Sequence, residues 1–358
     1  MTAEPMPLGS RAPEPAEPGA IEPTAAEPPV ARRERSVPRA GWMVVARKEF
    51  ADHLLSARFV VLLIVLGIAA AIPLYFVADA IRSAAPAASG EQALFIFLFW
   101  VAPKVSDTVS IPSVAGFFGI VAPLLGLAFA FDSINGERAQ GTLPRLLSQP
   151  IHRDDVINGK FAAGLAVIGL VIVAVVGFIG AFGIIRIGIV PAPAELLRLI
   201  LWVIATFVYV AMWLAFGMLL SVLVRRAATS ALIGFGAWLL LTFFGGLIAS
   251  LIGGFLAPLT GSNEEILRNV GFQQTISRLL PDTLYREASL VLLNPQVTDV
   301  STPATVGAYQ QAQERIPSLL SLDQSFILVW PQVVALVALT VACFAIAYVR
   351  FMRQEVRA

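Results

Sequence analysis

Six stretches of this chain, between 20 and 31 residues long, contain no Asp, Glu, Lys, Arg or His: 59–78, 111–131, 161–185, 199–224, 227–257 and 326–349. A helix needs about 20 mainly apolar residues to cross the ~30 Å of hydrocarbon in a bilayer, so each run is long enough for one crossing. The overall composition agrees. Apolar residues make up 57% and charged residues 14% of the 358, against roughly 45–50% and 25% in soluble domains. The fold class expected is therefore all-α, a polytopic membrane protein with six transmembrane helices. A seventh apolar run, "LFIFLFWVAP" from Leu94, is too short to cross and is closed by Pro103, Lys104 and Asp107, which places it at the outer interface.

The distribution of charge orients the spans. With the amino terminus inside, segments 41–58, 132–160, 225–226 and 350–358 are cytosolic, and these 58 residues hold 12 Lys and Arg. The outer segments 79–110, 186–198 and 257–325 hold 8 in 114 residues. The roughly threefold excess in density puts both termini in the cytosol by the positive-inside rule. The uncharged spans also argue against ion-coupled transport, since a mid-bilayer charge costs ~2.5–3.5 kcal/mol on insertion scales and is kept mainly where ions or protons move. Glycine pairs Gly245-Gly246 and Gly253-Gly254 in the fifth run suit close helix approach or a bend.

Residues 1–40 carry nine prolines and repeated Glu-Pro pairs, too little apolar mass to offset the entropy of ordering, and read as a disordered cytosolic tail. No apolar leader core precedes Phe59, so no cleaved secretory peptide is expected within these residues. The net charge of +1 gives no basic surface for nucleic acid. One cysteine, Cys343, excludes an internal disulfide, and His53 and His152 are too few for an ordinary zinc site. No P-loop is present, because Gly159-Lys160 is followed by Phe161 and lacks the first glycine. Neither histidine lies in a span to serve an intramembrane serine protease, and H-E-x-x-H is absent. Asp154-Asp155 precedes the third span, where a helix amino-terminal cap is expected.

The polar island 135–160 between the second and third spans is longer than a connection requires. Asn135-Gly136 is a turn signal, and Thr142-Leu143-Pro144 starts a short helix that Gln149-Pro150 ends. Leu143, Leu146 and Leu147 fall at i, i+3 and i+4 and make one apolar stripe. Such a stripe on a polar loop can bury against the membrane surface or against another protein.

The wording of the island resembles the membrane subunits of type-2 ATP-binding-cassette exporters, whose corresponding loop reads G-E-x-x-x-G-T-L-x-x-L-L-x-x-P-[IV]-x-R-x-x-[IV]-x-x-G-K. Every fixed element is present: Gly136, Glu137, Gly141, Thr142, Leu143, Leu146, Leu147, Pro150, Ile151, Arg153, Val156, Gly159 and Lys160. "ARKEFADHLLSARF" (46–59) is similar to the amphipathic helix that leads into these permeases. "LLPDTLYREASLVLLNP" (279–295) resembles the outer segment before the sixth span in the subgroup containing the permease for nitrous-oxide-reductase copper maturation. The resemblance covers most of 42–358. It implies a cytosolic coupling helix resting in a groove of a separate ABC ATPase subunit, with ATP and Mg bound by that subunit and no cofactor on this chain. It further implies a second permease copy or paralogue enclosing an export path, among membrane lipids of the cell membrane. The leucines would be the buried knobs, Glu137 and Arg153 polar contacts around them, and Pro150 and Gly159 structural punctuation. The alternative is a non-transporting membrane scaffold or assembly factor, which would share the spans without needing a loop that docks a motor.

The segment 261–325 is expected to be helical and to lie on the outer surface of the bundle, because Ile266, Val270, Ile276 and Leu279 recur among polar residues. The topology is directly testable. With Cys343 replaced by Ala, single cysteines at Ser148 and Ser301 should react from opposite sides of sealed cells, an impermeant maleimide outside labelling only the second. Equal labelling of both contradicts the six-span arrangement.

Overall fold

Every uncharged run is helical in the computed structural model, which describes residue 2 and residues 41–84, 94–104, 110–142, 152–295 and 321–354. The helices are α1 (Gly41–Leu54), α2 (Ala57–Ala84), α3 (Leu94–Trp100), α4 (Val114–Ala130), α5 (Asn135–Ala139), α6 (Arg153–Phe182), α7 (Pro193–Leu223), α8 (Ala227–Leu239), α9 (Gly245–Leu256), α10 (Asn263–Ser277), α11 (Pro281–Leu293) and α12 (Leu322–Met352). Single π-helical turns extend α6 over Gly183–Ile187 and join α8 to α9 over Leu240–Phe244. Six helices are long and apolar enough to cross a membrane: α2, α4, α6, α7, the α8–α9 pair and α12. Among the described residues there is no strand. The proline-rich tail, the leucine stripe and residues 296–320 lie outside the described residues.

The bundle is built around α4 and α7. In each, 61% of the spanning window is buried, against 17% in α8–α9 and α12, so the first two form the interior and the last two the periphery. Gly126 permits the central contact. A Cβ there would lie 2.6 Å from the carbonyl oxygen of Val210 and 2.7 Å from the amide nitrogen of Leu214, so the α4 backbone rests directly on that of α7. Without a hydrophobic drive between helices in lipid, such close backbone approach is a main source of association. Tyr209 and Trp238 then tie α7 and α8 to α4 by donating to the carbonyls of Gly119 (3.0 Å) and Ile120 (2.8 Å).

Two short elements differ from expectation. The Leu94 run packs into the bundle and does not lie on its surface: Phe95, Ile96, Leu98 and Phe99 of α3 are buried. The Glu195 carboxylate holds the start of α3 by accepting from the amides of Phe95 (2.9 Å) and Ile96 (3.4 Å). α11 likewise does not lie on the bundle surface. Leu284, Tyr285, Ala288, Val291 and Leu292 are all 3% exposed or less, and the Tyr285 ring stacks on Tyr209 at 4.5 Å. Burial is possible because its polar atoms are met inside: Tyr285 donates to the carbonyl of Ala115 (3.3 Å), and Ser289 accepts from the Trp202 indole (3.0 Å). α10 does take the expected peripheral form. It starts at a reciprocal Ser262–Glu265 cap and runs back along α9, where Gly245 faces Leu280 and Gly253 faces Gln273. The other glycine of each pair, Gly246 or Gly254, faces open space.

Gly126→Ala is expected to lower the thermal unfolding temperature of the purified protein, since a methyl driven into backbone cannot be relieved by a rotamer change and overpacking typically costs about 1–3 kcal/mol. Gly236→Ala, where a Cβ meets nothing within 4 Å, should be neutral or slightly stabilising because it raises helix propensity. Fluorescence-detected size exclusion after heating separates the two outcomes.

Candidate functional site

The two ends of the polar island meet at one end of the bundle. α1 packs along the first turns of α6, and Gly159 sets the spacing: a Cβ there would fall 2.7 Å from both the Trp42 carbonyl oxygen and the Val45 Cβ. One turn earlier, the Asp155 carboxylate accepts from the amides of His152 (3.2 Å) and Trp42 (2.9 Å). The carboxylate expected to cap α6 therefore also pins the start of α1.

Lys160 follows, with 4% of its side chain exposed. Its ammonium lies 2.8 Å from a Glu137 oxygen and 3.0 Å from Glu49. One buried cation thus joins α5, α6 and α1. Lys48 also approaches Glu49 (3.3 Å) and pairs with Asp52 (2.8 Å) at the rim. Glu137 differs from the solvated or partner-facing charge expected for it: its carboxylate turns into the bundle, and its second oxygen is buried without a partner among the described residues. A cavity of about 240 Å³ opens beside it, also bordered by Arg58, Asp132 and His53. Arg58 pairs with Asp132 at 2.6 Å and lies over the Phe131 ring, while the His53 ring meets Phe129 edge-on at 5.0 Å.

α5 is also fastened on its other side. The Ser221 hydroxyl accepts from the amides of Ile134 (2.9 Å) and Asn135 (3.2 Å), and the Asn135 amide group donates to the Val224 carbonyl (3.2 Å). Arg138 donates to the side chain of Gln354, which itself donates to the Val222 carbonyl (3.0 Å). The foot of the island is thereby tied to the ends of α7 and α12 as well as to α1 and α6.

Of the residues singled out in the island, Gly136 and Glu137 lie on α5, and Arg153 opens α6 half-buried. Gly141, at φ +66°, and Thr142 are exposed where the chain leaves the bundle. The Thr142 hydroxyl donates to the Glu137 carbonyl (3.2 Å). Leu143, Leu146, Leu147, Pro150 and Ile151 lie outside the described residues. Glu49, Ser221 and Gln354 carried no sequence signal as members of this site. Lys160 did: it is the last fixed element of the motif that begins with Gly136-Glu137.

A family model described as "ABC-2 family transporter protein" matches residues 43–356. The chain belongs to this family. A protein from Stutzerimonas stutzeri described as "Probable ABC transporter permease protein NosY" is 29% identical over 140 residues, which is 38% of this chain and 49% of that relative. The chain thus matches about half the length of that relative. The family assignment and the six apolar helices make this ABC-2 family member a multi-pass membrane protein. Among its described residues no group of three or more His, Cys, Asp or Glu is placed to hold a metal ion.

Burial alone would push the Glu49 carboxyl upward, but the ammonium groups of Lys160 and Lys48 outweigh it and hold Glu49 below its ordinary value of 4.5. Burial pushes the His53 imidazole below its ordinary 6.5, with Glu49 and Asp132 opposing and Lys160 and Arg58 assisting. Both shifts make acid destabilising. The unfolded chain protonates His53 first, so stability should begin to fall as pH drops through 6.5. The contribution of Glu49 is complete above 4.5 and is lost as pH falls through its lower folded value. Thermal unfolding followed against pH should show both losses in the wild type and only the lower one in His53→Gln. At neutral pH, Lys160→Met leaves two partly buried carboxylates without their shared ammonium, and removing one partner of a fully buried pair typically costs about 3–5 kcal/mol, an upper bound here. The triple change Lys160→Met, Glu49→Gln, Glu137→Gln should recover much of that loss.

Proposed function

We propose that the chain is the membrane-spanning permease subunit of an ATP-driven exporter in the cell membrane, with both termini cytosolic. The Gly136–Lys160 loop docks on a separate ATPase subunit, which binds ATP and Mg, and a second permease copy or paralogue completes the export path. The observation that carries this reading is the Lys160 clamp. A loop whose two ends are joined to each other and to α1 by a buried cation cannot be displaced without moving α6 and α1 with it. A free loop would absorb a push, whereas this one transmits it. Breaking the clamp to relieve the push would expose an uncompensated charge in a partly desolvated site, which is costly.

In this reading the leucine stripe supplies docking energy and the clamp supplies coupling, and the two can be separated by mutation. Leu146→Asp places a carboxylate in an apolar contact at a cost of several kcal/mol. Since ~1.4 kcal/mol is tenfold in affinity, the mutant should reach the membrane but lose its ATPase on purification. Glu137→Gln keeps the leucines and leaves Lys160 paired with Glu49, so the complex should assemble while cargo-stimulated ATP turnover falls. A Leu146→Asp protein that retains its ATPase at wild-type stoichiometry, or a native preparation containing no Walker-motif ATPase, would overturn this reading in favour of a scaffold.

A further inference from the structure

At the opposite end of the bundle, α3, α4, the π turn between α8 and α9, and α11 line a second, partly open cavity of about 330 Å³. Its walls are mostly apolar, with Trp100, Ile120, Phe243 and the Tyr285 ring contributing, and its polar groups include Asp282, Arg286 and Thr242. The volume falls within the range of small-molecule sites, which pair apolar walls with a few fixed polar groups. The wall at Thr242 and Phe243 belongs to an interrupted helix, a single π turn of a kind frequently found at functional sites. The Thr242 hydroxyl is buried and meets no partner among the described residues.

The sign of the cavity follows from which charge is inside. Asp282 and Arg286 pair at 3.3 Å, but the carboxylate is 14% exposed and the guanidinium side chain 71%. Both side chains line the cavity, but the negative end is held within the wall while the positive end is mostly exposed to solvent, where such a pair contributes little and is readily exchanged. Burial pushes the Asp282 carboxyl above its ordinary value, with Arg286 drawing it only partly back, as for a carboxylate whose counter-charge is insufficient. An anionic ligand would face this carboxylate. A wholly apolar one would desolvate it further without compensation.

We propose that this cavity is a binding site for an amphiphile carrying an ammonium group, the ammonium displacing Arg286 at Asp282 and the tail lying against Trp100, Ile120 and Phe243. Aromatic faces around a cation add electrostatic attraction to the apolar contact. The Thr242 hydroxyl can accept from an N–H on the same headgroup. The same chemistry is offered by a free alkylammonium and by the headgroup of an ethanolamine lipid. The site stands independently of whether the loop at the other end docks a motor.

The test uses the full-length protein in nanodiscs of phosphatidylglycerol, which lacks an ammonium, and a diazirine-bearing dodecylammonium probe whose adducts are mapped by mass spectrometry. Saturable labelling is expected on α3, the π turn and α11. Asp282→Asn should reduce it at least tenfold, while Arg286→Gln, which removes the internal competitor, should leave it unchanged or raise it. Phe243→Ala, a change at an exposed position, should weaken labelling without altering elution on size exclusion, which guards against a folding defect in Asp282→Asn. Displacement of the probe by lysophosphatidylethanolamine identifies a lipid headgroup as an acceptable source, and displacement by unlabelled dodecylammonium alone identifies a free amphiphile. Equal labelling of wild type and Asp282→Asn, or equal displacement by dodecyl sulfate, overturns the proposal.

Discussion

Hydrocarbon tolerates neither an unpaired backbone group nor an unpaired charge, and that constraint decides where this protein can place its polar chemistry. The charged residues of the long helices are confined to their ends. Lys160 lies in the second turn of α6, and Glu195 and Arg198 lie in the first turns of α7. All three are buried, yet each has protein partners: Glu49 and Glu137 for Lys160, the α3 amides for Glu195, and the Ser325 hydroxyl at 2.8 Å for Arg198. The middle of the bundle is left to apolar packing, glycine contacts and hydroxyl or indole hydrogen bonds to carbonyls.

Within that frame the two ends are built differently. The end carrying α1 and α5 is an ionic junction, in which short polar elements are stapled to the ends of long helices. The opposite end is a packed cap, in which α3 and α11 are driven into the bundle by aromatic and aliphatic faces and retained by a few specific bonds. An ionic junction is sensitive to pH and to the loss of one partner. A packed cap is sensitive to volume. The acid dependence expected for Glu49 and His53 accordingly belongs to one end alone.

The crossings were legible in the sequence because twenty uncharged apolar residues admit few structures, and the helices overrun the apolar runs by more than a few residues only at the end of α2 and the starts of α6 and α7, most of all at α6. There the polar stretch "RDDVINGK" continues the helix, because Asp155 caps it and α1 shields it, and neither effect has an apolar periodicity. The packing of α3 and α11 into the bundle was not legible for a related reason. A short apolar run or an amphipathic helix shows that one face must be covered but not by what, and here other helices rather than lipid headgroups or solvent cover it. The site was half legible: Glu137 and Lys160 open and close one motif, whereas Glu49, Ser221 and Gln354 reach it from distant segments that only tertiary folding brings together.

α7 is the element common to both ends. Its last turns hold α5 through Ser221 and Val224, its middle rests on Gly126 and Tyr285, and its first turns hold α3, α11 and α12 through Glu195, Trp202 and Arg198. A close-packed backbone contact such as that at Gly126 does not deform continuously, so small shifts are carried as rigid-body motion of whole helices. A displacement of the island's foot in the proposed cycle therefore has two rigid routes, α6 through Lys160 and α7 through Ser221. Only α7 reaches the α11 wall of the far cavity directly. In the proposed cycle, any movement of that cavity in step with an ATPase would depend on α7 keeping its grip on α4, so Gly126 would be required for transmission as well as for packing.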